Sequence, residues 1–440
     1  RGTIHAMSTA GILAVALLAA VPAARDVDYE ADVAFALDAV EREAGELLRR
    51  KDVDWKAVRK EMAKAVEDVE THAQHFELLQ RLVARARDGH AEVRKTALTE
   101  DVPWPSFGRG ELTGCGLFLF ESGKKVYVRS AWNAAREVGL TAGMEVLKID
   151  GESPSKWIDA RVEYWRDREC FSTDHHARWW TMHAGLSSEA GSRLKLEVKD
   201  LDGKKRKRTV TYVRATVGPW GPSAFPEGVR TVDDLTYGIL PSGYAYLHVR
   251  RSPSSIVDQL DRALPSLVDA PGLVLDYRAN SGGGFDHDGF LGRFVPKGES
   301  LQFASTIPSA GPVVYGGPIV VIVNALVVSA GETGSGQFKE EGRAYVIGES
   351  PTAGMSSQKT TIELPSVRFT LYVSTGSNKG WYNAGRGLAG IGVVPHEIVE
   401  LDPEDVGAGV DTLIRRAEEL LADYPQKEVR YDPADFGWKP

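Results

Sequence analysis

Three patterns of hydrophobic and polar positions follow one another along the 440-residue chain. Over residues 27–100, apolar residues recur every three or four positions among Ala, Glu, Arg, Leu and Lys, which is the period of amphipathic helices. Residues 111–214 contain short alternating stretches between turn residues, as β-strands do. Residues 236–400 alternate continuous apolar strands with helical stretches, which is typical of a sheet covered on both faces. The pattern predicts an α/β multidomain protein.

These shifts, together with the proline-containing linker at 101–105, divide the chain into predicted units. The first 24 residues differ from all the rest, because a short apolar run there is followed by small residues. The remaining boundaries give a helical N-terminal region, a β-rich module with an inserted stretch rich in tryptophan and histidine, an α/β core, and a C-terminal helix with a tail. Their ranges are 25–103, 104–215 with the insertion at 155–190, 216–405 and 406–440.

The N-terminal apolar run indicates export. Residues 11–20 are about ten apolar residues, too few to span a bilayer, which needs roughly 20. Ala23 and Ala24 follow at positions suited to signal-peptide cleavage. If Met7 starts translation, no basic residue precedes the run, and a short buried helix is the alternative. We expect a periplasmic or extracellular protein without a membrane span after cleavage.

Composition excludes several functions. The net charge of -8 gives no electrostatic reason to bind nucleic acid, and the basic run at 204–208 follows a hairpin signal, so it predicts a solvated strand. The two cysteines, Cys115 and Cys170, are too few for a zinc site made of cysteines. One acid and three histidines near residues 174–183 have no recognised ligand spacing, so we expect no metal.

Ser329 is the first candidate for chemistry. It follows the buried strand at 319–323 and opens a helix, where free backbone N–H groups and the positive helix end would stabilise an anion. The alternative is an ordinary helix cap, because Ser329 with Glu332 three residues later matches a capping box.

A second candidate is the loop at 278–284, which contains three consecutive glycines after another buried strand. Glycines let backbone N–H groups turn toward a ligand, as an oxyanion hole requires. A plain turn is the alternative. His287, between Asp286 and Asp288, follows this loop and is expected near the same site.

Four ordered blocks within residues 272–403 resemble the catalytic core of the carboxyl-terminal processing (tail-specific) serine peptidases, a family that includes the tricorn core. The blocks are Leu275–Gly283; Val323-Asn324 with Ser329–Glu332; Gly342–Ala344 with Gly348-Glu349; and Gly390–Pro395. The resemblance implies a ClpP/crotonase-like α/β protease core that acts on polypeptides without a cofactor. It also implies that Ser329 is the nucleophile and that Ala330 and Gly282 or Gly283 form the oxyanion hole.

Residues 104–215 resemble the PDZ module of the same family. Gly114, Cys115, Gly116 and Leu117 match its carboxylate-binding loop. Such a module binds an extended peptide as an added strand and captures the terminal carboxylate on backbone N–H groups. The resemblance therefore makes these four residues a candidate substrate-binding site.

The sequence departs from the family pattern at the general base. Met355 stands where many members have a lysine, and methionine cannot accept a proton, although Gln358 remains near the family's glutamine. Lys359 is expected to point the other way on its strand. The tricorn-like branch uses a histidine after glycine, which His90 matches.

A neutral imidazole is the usual base for a serine hydroxyl, so His90 is the predicted base, with a histidine at a helix end as the alternative. The acid expected before the last block is replaced by Leu388 or Ala389, and the aspartate after its proline by His396. Glu332 or Asp88 could substitute. Glu332, Gln358 and Arg278 are the candidate supporting residues.

The sequence thus predicts a serine endopeptidase that cleaves unstructured or C-terminal polypeptide segments through an acyl-enzyme on Ser329. The first alternative is a peptide- or ligand-binding protein of the same fold with weak or no catalysis, which Met355 motivates. The second is a serine esterase, although no Gly-x-Ser-x-Gly element surrounds any serine.

Overall fold

The computed structural model describes residues 27–104, 113–213, 222, 225–302, 306–355, 357–377, 382–426 and 428–429. The predicted signal peptide lies outside these residues. Among the described helices, none has both the length and the apolar character needed to cross a membrane.

The N-terminal region is a three-helix layer packed on a small sheet. The helices are α1 (Tyr29–Arg50), α2 (Trp55–Ala65) and α3 (His72–Arg85), and the sheet has the order β1-β16-β15, with β1 (Glu92–Lys95), β15 (Ser357–Glu363) and β16 (Phe369–Ser377). Each helix begins at a side-chain cap, Asp28, Asp54 or Thr71, which accepts an N–H of the first turn. One shared core contains apolar side chains of all three helices and of β16.

The end of the N-terminal region differs from the prediction of helix as far as residue 100. Residues Glu92–Lys95 are a strand, which pairs antiparallel with residues 369–372 of β16. A strand of four residues is too short to interrupt the helical pattern of apolar positions visibly in the sequence. Val93 is the buried side chain of this strand, and it joins the core beneath the helices. The N-terminal region is therefore attached to the sheet of a distant part of the chain.

The second unit is a five-stranded antiparallel sheet with the order β2-β3-β4-β5-β6 and three helices. Its strands are β2 (Leu117–Ser122), β3 (Lys125–Ala131), β4 (Glu145–Ile149), β5 (Arg193–Lys199) and β6 (Lys205–Thr211), and its helices are α4 (Asn133–Glu137), α5 (Pro154–Arg166) and α6 (Asp174–Thr181). The predicted insertion contains most of α5 and all of α6. Strand β2 lies at one edge of the sheet and the basic strand β6 at the other.

The core is a seven-stranded sheet with the order β17-β14-β13-β10-β9-β8-β7, in which β9, β10, β13, β14 and β17 run parallel. The strands are β7 (Val229–Val232), β8 (Leu235–Ile239), β9 (Ala245–Val249), β10 (Leu273–Asp276), β13 (Ile319–Val323), β14 (Tyr345–Gly348) and β17 (Glu397–Ile398). Strands β11 (Ser300–Gln302) and β12 (Thr306–Pro308) form a separate hairpin.

Helices cover both faces of the seven-stranded sheet. They are α7 (Ile256–Ala263), α8 (His287–Gly292), α9 (Ala330–Glu340), α10 (Pro403–Ala408) and α11 (Thr412–Ala422). Alternate residues of one strand enter different cores: Ile319 and Val321 pack with α7, α8 and α9, whereas Val320 packs with α10 and α11. All five residues of β13 are buried, which explains its continuous apolar run.

Candidate active site

Ser329 is held in a strained backbone conformation at the N-terminus of α9. Its φ is 54° and its ψ is -120°, a region that residues other than glycine rarely occupy and that costs of the order of 1–3 kcal/mol. An ordinary helix cap has an extended backbone, as Thr71 does with φ -132° and ψ 157°. The surrounding structure therefore enforces an unusual direction for the Ser329 side chain, beside the N–H groups of the first helical turn.

The glycine loop packs directly against Ser329. Gly282 has φ 74°, and a Cβ added there would lie 2.8 Å from the Ser329 Cβ and 3.4 Å from the Ala330 nitrogen. Gly283 has φ 148°, and an added Cβ would lie 2.1 Å from the Ser252 carbonyl oxygen. No side chain larger than hydrogen fits at either position, so Gly282 permits the close approach of this loop to Ser329 and Gly283 permits its close approach to Ser252.

Asn280 fixes the glycine loop, a role that no local sequence pattern indicated. It is fully buried; its Nδ2 donates to the Val249 carbonyl at 2.7 Å, and its Oδ1 accepts the Gly282 N–H at 2.9 Å. The Gly282 N–H is thus already used. Among the described residues, no acceptor is found for the N–H groups of Gly283 and Ala330.

Glu332 connects Ser329 to the loop at 352–355. Its buried carboxylate accepts four hydrogen bonds: the Thr352 hydroxyl and the Gly354 N–H donate to Oε1, both at 2.7 Å, and the N–H groups of Met355 and Ser329 donate to Oε2 at 2.9 and 3.1 Å. Burial raises the pKa of Glu332 to about 7, while these donors act in the opposite direction. The carboxylate is therefore the common anchor of both segments.

His90 lies beside the same loop. Burial lowers the pKa of His90 to about 4, with Lys359 and Lys51 acting in the same direction, while Asp88 and a hydrogen bond to the Met355 backbone act in the other. The imidazole is therefore neutral at neutral pH, as a general base must be. Its Nδ1 is buried without a hydrogen-bond partner among the described residues. No hydrogen bond joins the imidazole to Ser329 in this structure.

Asp88 is hydrogen-bonded to the backbone of His90 rather than to its ring, and so holds the loop that contains Gly89 and His90 (the His90 loop). Its carboxylate accepts the backbone N–H of His90 at 3.1 Å and the N–H and hydroxyl of Ser374 at 2.7 and 2.8 Å. Met355 packs on Gly89, the residue before His90, since a Cβ added at Gly89 would lie 3.0 Å from the Cβ and the Sδ of Met355. The segment that replaces the family's lysine thus contacts the histidine segment.

The other predicted supporting residues lie in different surroundings. Gln358 is exposed on β15. Arg278 is fully buried, and its guanidinium pairs with Asp276 at 2.6 Å and with Asp411 at 2.7 Å, so it joins β10 to the start of α11. Arg278 is a structural ion pair rather than a group that faces Ser329.

The predicted carboxylate-binding loop is covered by the chain itself. All residues from Thr113 to Phe120 are buried. Thr113 forms a β-bridge with Ser188, and the Leu119 N–H donates to the Met182 carbonyl at 3.0 Å. The edge of β2, where an added peptide strand would pair, is therefore occupied by the segment that follows α6.

In the described part of the chain, the remaining histidines do not belong to any group of three or more His, Cys, Asp or Glu side chains that could hold a metal ion. His176 packs against Phe171, and His183 packs against Phe118, both at edge-to-face geometry. His287 contacts the Thr333 hydroxyl at 2.5 Å, one turn into α9, so it lies near Ser329 as expected. His175 contacts the loop at 352–355, which no sequence signal indicated.

Comparison with known proteins gives the class. Residues 243–399 match the model of Peptidase family S41, so this segment is a Peptidase family S41 domain and the protein is a serine-type peptidase, a hydrolase. The match contains the glycine loop, Ser329, Glu332 and Met355. It confirms the predicted resemblance to the carboxyl-terminal processing peptidases.

Solved structures share the fold across most of the chain. Mature CPAF matches with a TM-score of 0.69 at 12% identity, covering 90% of this chain and 98% of that one. CPAF complexed with lactacystin matches with a TM-score of 0.66 at 12% identity, over 92% and 99%. A putative peptidase from Parabacteroides merdae matches with a TM-score of 0.51 at 16% identity, over 89% and 96%. These likenesses confirm the multidomain α/β fold.

Proposed function

We propose that this protein is a serine endopeptidase in which Ser329 forms an acyl-enzyme with unstructured or C-terminal segments of polypeptides. The observation that carries the proposal is the strained backbone of Ser329 at the start of α9, with the Gly282–Gly283 turn packed against it inside the S41 domain. Strain of this kind persists only where the surroundings enforce it, and it clusters at functional sites.

In the proposed mechanism, neutral His90 accepts the proton of the Ser329 hydroxyl as Oγ attacks the scissile carbonyl carbon. The oxyanion accepts hydrogen bonds from the N–H groups of Ala330 and Gly283, because the Gly282 N–H is already donated to Asn280. Collapse of the tetrahedral intermediate then expels the amine product, which takes the proton from His90. Water, deprotonated by His90, then hydrolyses the ester and restores Ser329.

His90 must move toward Ser329 for the first proton transfer. Hydrogen bonds of catalytic groups are often long in the free enzyme and tighten in the substrate complex, so the present geometry is compatible with this role. Glu332 is a positioning residue in the proposal, because it holds the backbone of Ser329 and of Met355. The His90 ring contacts the latter segment.

The alternative is a polypeptide-binding protein of the same fold with little catalysis. Two features favour it: the resemblance implies that Met355 replaces a proton acceptor, and no acid among the described residues is bonded to the His90 Nδ1 to orient the ring. The proposal and this alternative differ in whether Ser329 is an activated nucleophile.

Labelling with a fluorophosphonate probe, read by peptide mass mapping, separates the two. We expect an adduct on Ser329 in the wild type, none in Ser329→Ala, and labelling about 10²–10⁴-fold slower in His90→Ala. Ser335→Ala and His72→Ala are matched controls in the same helix and the same N-terminal region, because the Ser335 hydroxyl donates to the Gly331 carbonyl and the His72 ring contacts the Tyr29 hydroxyl. A folded wild type that is not labelled would establish the alternative.

The substrate class is tested on the same preparations. A small disulfide-linked protein should resist cleavage when native and be cleaved after reduction and alkylation, and Ser329→Ala should cleave neither form. The buried edge of β2 leads us to place substrate binding in the core rather than on the Gly114–Leu117 loop.

We also propose that the protein is exported by the signal peptide at residues 1–24. The apolar run and the small residues after it support this. We propose as well that the mature chain is divided into units at 25–103, 104–215, 216–405 and 406–440. An N-terminus starting near Arg25 in protein recovered outside the cytoplasm is the expected result, and an uncleaved chain retained inside would contradict it.

A further inference from the structure

The start of α6, in the second unit, contacts both loops of the candidate active site. The Ser172 hydroxyl accepts the Gly89 N–H at 2.9 Å. The Thr173 hydroxyl donates to the Ala353 carbonyl at 3.1 Å, and the His175 Nε2 lies 2.7 Å from the Thr352 carbonyl oxygen. Three side-chain contacts within residues 172–175 therefore join this unit to the His90 loop and to the loop at 352–355.

The loop at 352–355, which these side chains contact, is hydrogen-bonded to the residue that holds the backbone of Ser329. Thr352 and Gly354 both donate to the Glu332 carboxylate, which also accepts the Ser329 N–H. A Cβ added at Gly354 would lie 2.7 Å from the Thr173 Cγ2, so the two segments are in direct contact. A displacement of Thr173 would therefore be transmitted to the loop that Glu332 organises.

The rest of α6 is fixed to the edge of the β2 strand. Arg178 makes two hydrogen bonds of 2.6 Å to the Glu121 carboxylate, and Trp179 packs edge-to-face on Phe118 at 4.8 Å. The Met182 carbonyl then accepts the Leu119 N–H at 3.0 Å. Because bidentate pairs fix geometry as well as distance, α6 is held rigidly against the sheet of the second unit.

We propose that Ser172, Thr173 and His175 are positioning residues, which hold the His90 loop and the loop at 352–355 in register so that the base and the nucleophile can meet. This role rests on the proposed function. In this role, α6 and Met182 at its end cover the β2 edge. Their contacts with β2 hold Ser172, Thr173 and His175 against the two loops of the active site.

Two pairs of variants isolate the contacts. Thr173→Val and His175→Phe remove the hydrogen bonds while keeping a similar shape, whereas Thr173→Ser and His175→Gln keep a donor near the same place. Thr173→Val also removes the N-terminal cap of α6, since the Thr173 hydroxyl accepts the His176 N–H at 3.3 Å. Asp28→Ala is the matched control for that loss, because it removes the cap at the start of α1, whereas the other end of that helix lies beside Arg87.

Hydrogen exchange at the Gly354 and Met355 amides is the first readout, because it does not depend on catalysis. We expect exchange at least about fivefold faster in Thr173→Val and His175→Phe, since each loses one hydrogen bond that holds the loop. Thr173→Ser, His175→Gln and Asp28→Ala should exchange as the wild type does. Unchanged exchange in Thr173→Val and His175→Phe would overturn the proposal even if Ser329 proves to be unreactive.

Peptide hydrolysis is the second readout. We expect kcat to fall at least about tenfold in Thr173→Val and His175→Phe with KM within about twofold, because misplacement of the base affects the chemical step more than binding. Thr173→Ser and His175→Gln should restore kcat. Faster exchange with an unchanged kcat would show that the contacts only stabilise the loop, and the positioning role would be wrong.

Discussion

At the scale of single residues, the site is organised around one buried carboxylate. Glu332 accepts hydrogen bonds from Ser329, Thr352, Gly354 and Met355, and burial raises its pKa to about 7. Only the ionised form accepts all four donors, so ionisation and loop geometry are coupled. Burial lowers the pKa of His90 to about 4. The two groups therefore act in different pH ranges.

This separation gives a pH prediction. We expect kcat/KM of the wild type to rise with pH through about 7, as Glu332 ionises, since His90 is already neutral above about pH 4. Glu332→Gln should lower kcat/KM and leave only the step near pH 4, because the amide does not titrate. Activity profiles of both proteins between pH 4 and 9 are the measurement. A step near pH 7 that persists in Glu332→Gln would assign it to another group.

Residue chemistry was partly predictable from sequence. The resemblance of four ordered blocks to a peptidase family found the segment, whereas Ser329 and the glycine loop taken alone also fit a helix cap and a plain turn. It could not show that Gly282 is already hydrogen-bonded, or that Asn280 and Thr352 hold the site, because those contacts join residues distant in sequence.

At the scale of elements, the buried ion pairs of Arg278 link β10 to α11. Asp276 and Arg278 are fully buried, and Asp411 both pairs with Arg278 and caps α11 through the N–H groups of Leu413 and Ile414. Breaking one partner of a buried pair leaves an uncompensated charge, which costs several kcal/mol. The link therefore supports the attachment of the C-terminal helix.

Variants of Asp411 separate its two roles. Asp411→Asn keeps a cap but loses the charge, so we expect the free energy of unfolding to fall by about 1.5–3 kcal/mol. Asp411→Ala loses the cap as well, at a further cost of about 1 kcal/mol. Urea unfolding measures both, and labelling of Ser329 should stay within about threefold of the wild-type rate. A large loss of labelling in a stably folded Asp411→Asn would instead give Arg278 a role at the site.

Element prediction succeeded where a period extends over many residues. The three N-terminal helices and the buried strands of the core follow from their apolar spacing, whereas β1 is four residues long and is defined by pairing with β16, some 280 positions away. The docking of α6 is a similar case: the sequence indicated only an inserted stretch at 155–190, and the surface that α6 covers lies on another strand.

At the scale of the whole molecule, histidine burial is general. Burial lowers the pKa of every histidine in the described part of the chain, for His75, His90 and His396 to about 4 and for His176 and His183 to about 3. The folded protein therefore binds fewer protons than the unfolded chain between the ordinary pKa of 6.5 and these values. Their contribution to stability is complete above pH 6.5 and is lost as the pH falls.

Each such histidine changes the free energy of unfolding by up to about 1.4 kcal/mol per pH unit within that window. Glu332 and Glu341 act in the opposite sense, because burial raises the pKa of both to about 7, and their contribution falls as the pH rises from 4.5. The histidines outnumber these two acids. The free energy of unfolding should therefore be at least about 2 kcal/mol lower at pH 5 than at pH 7.5.

Urea unfolding at the two pH values measures this difference, and His75→Phe isolates one contributor. The His75 ring packs between Tyr29 and Phe369, so phenylalanine suits the site and does not titrate. We expect the pH dependence to shrink by about 1–2 kcal/mol in this variant while stability at pH 7.5 changes little. A pH dependence equal to that of the wild type would show that His75 accepts a proton without unfolding, and that the N-terminal core opens to water at low pH.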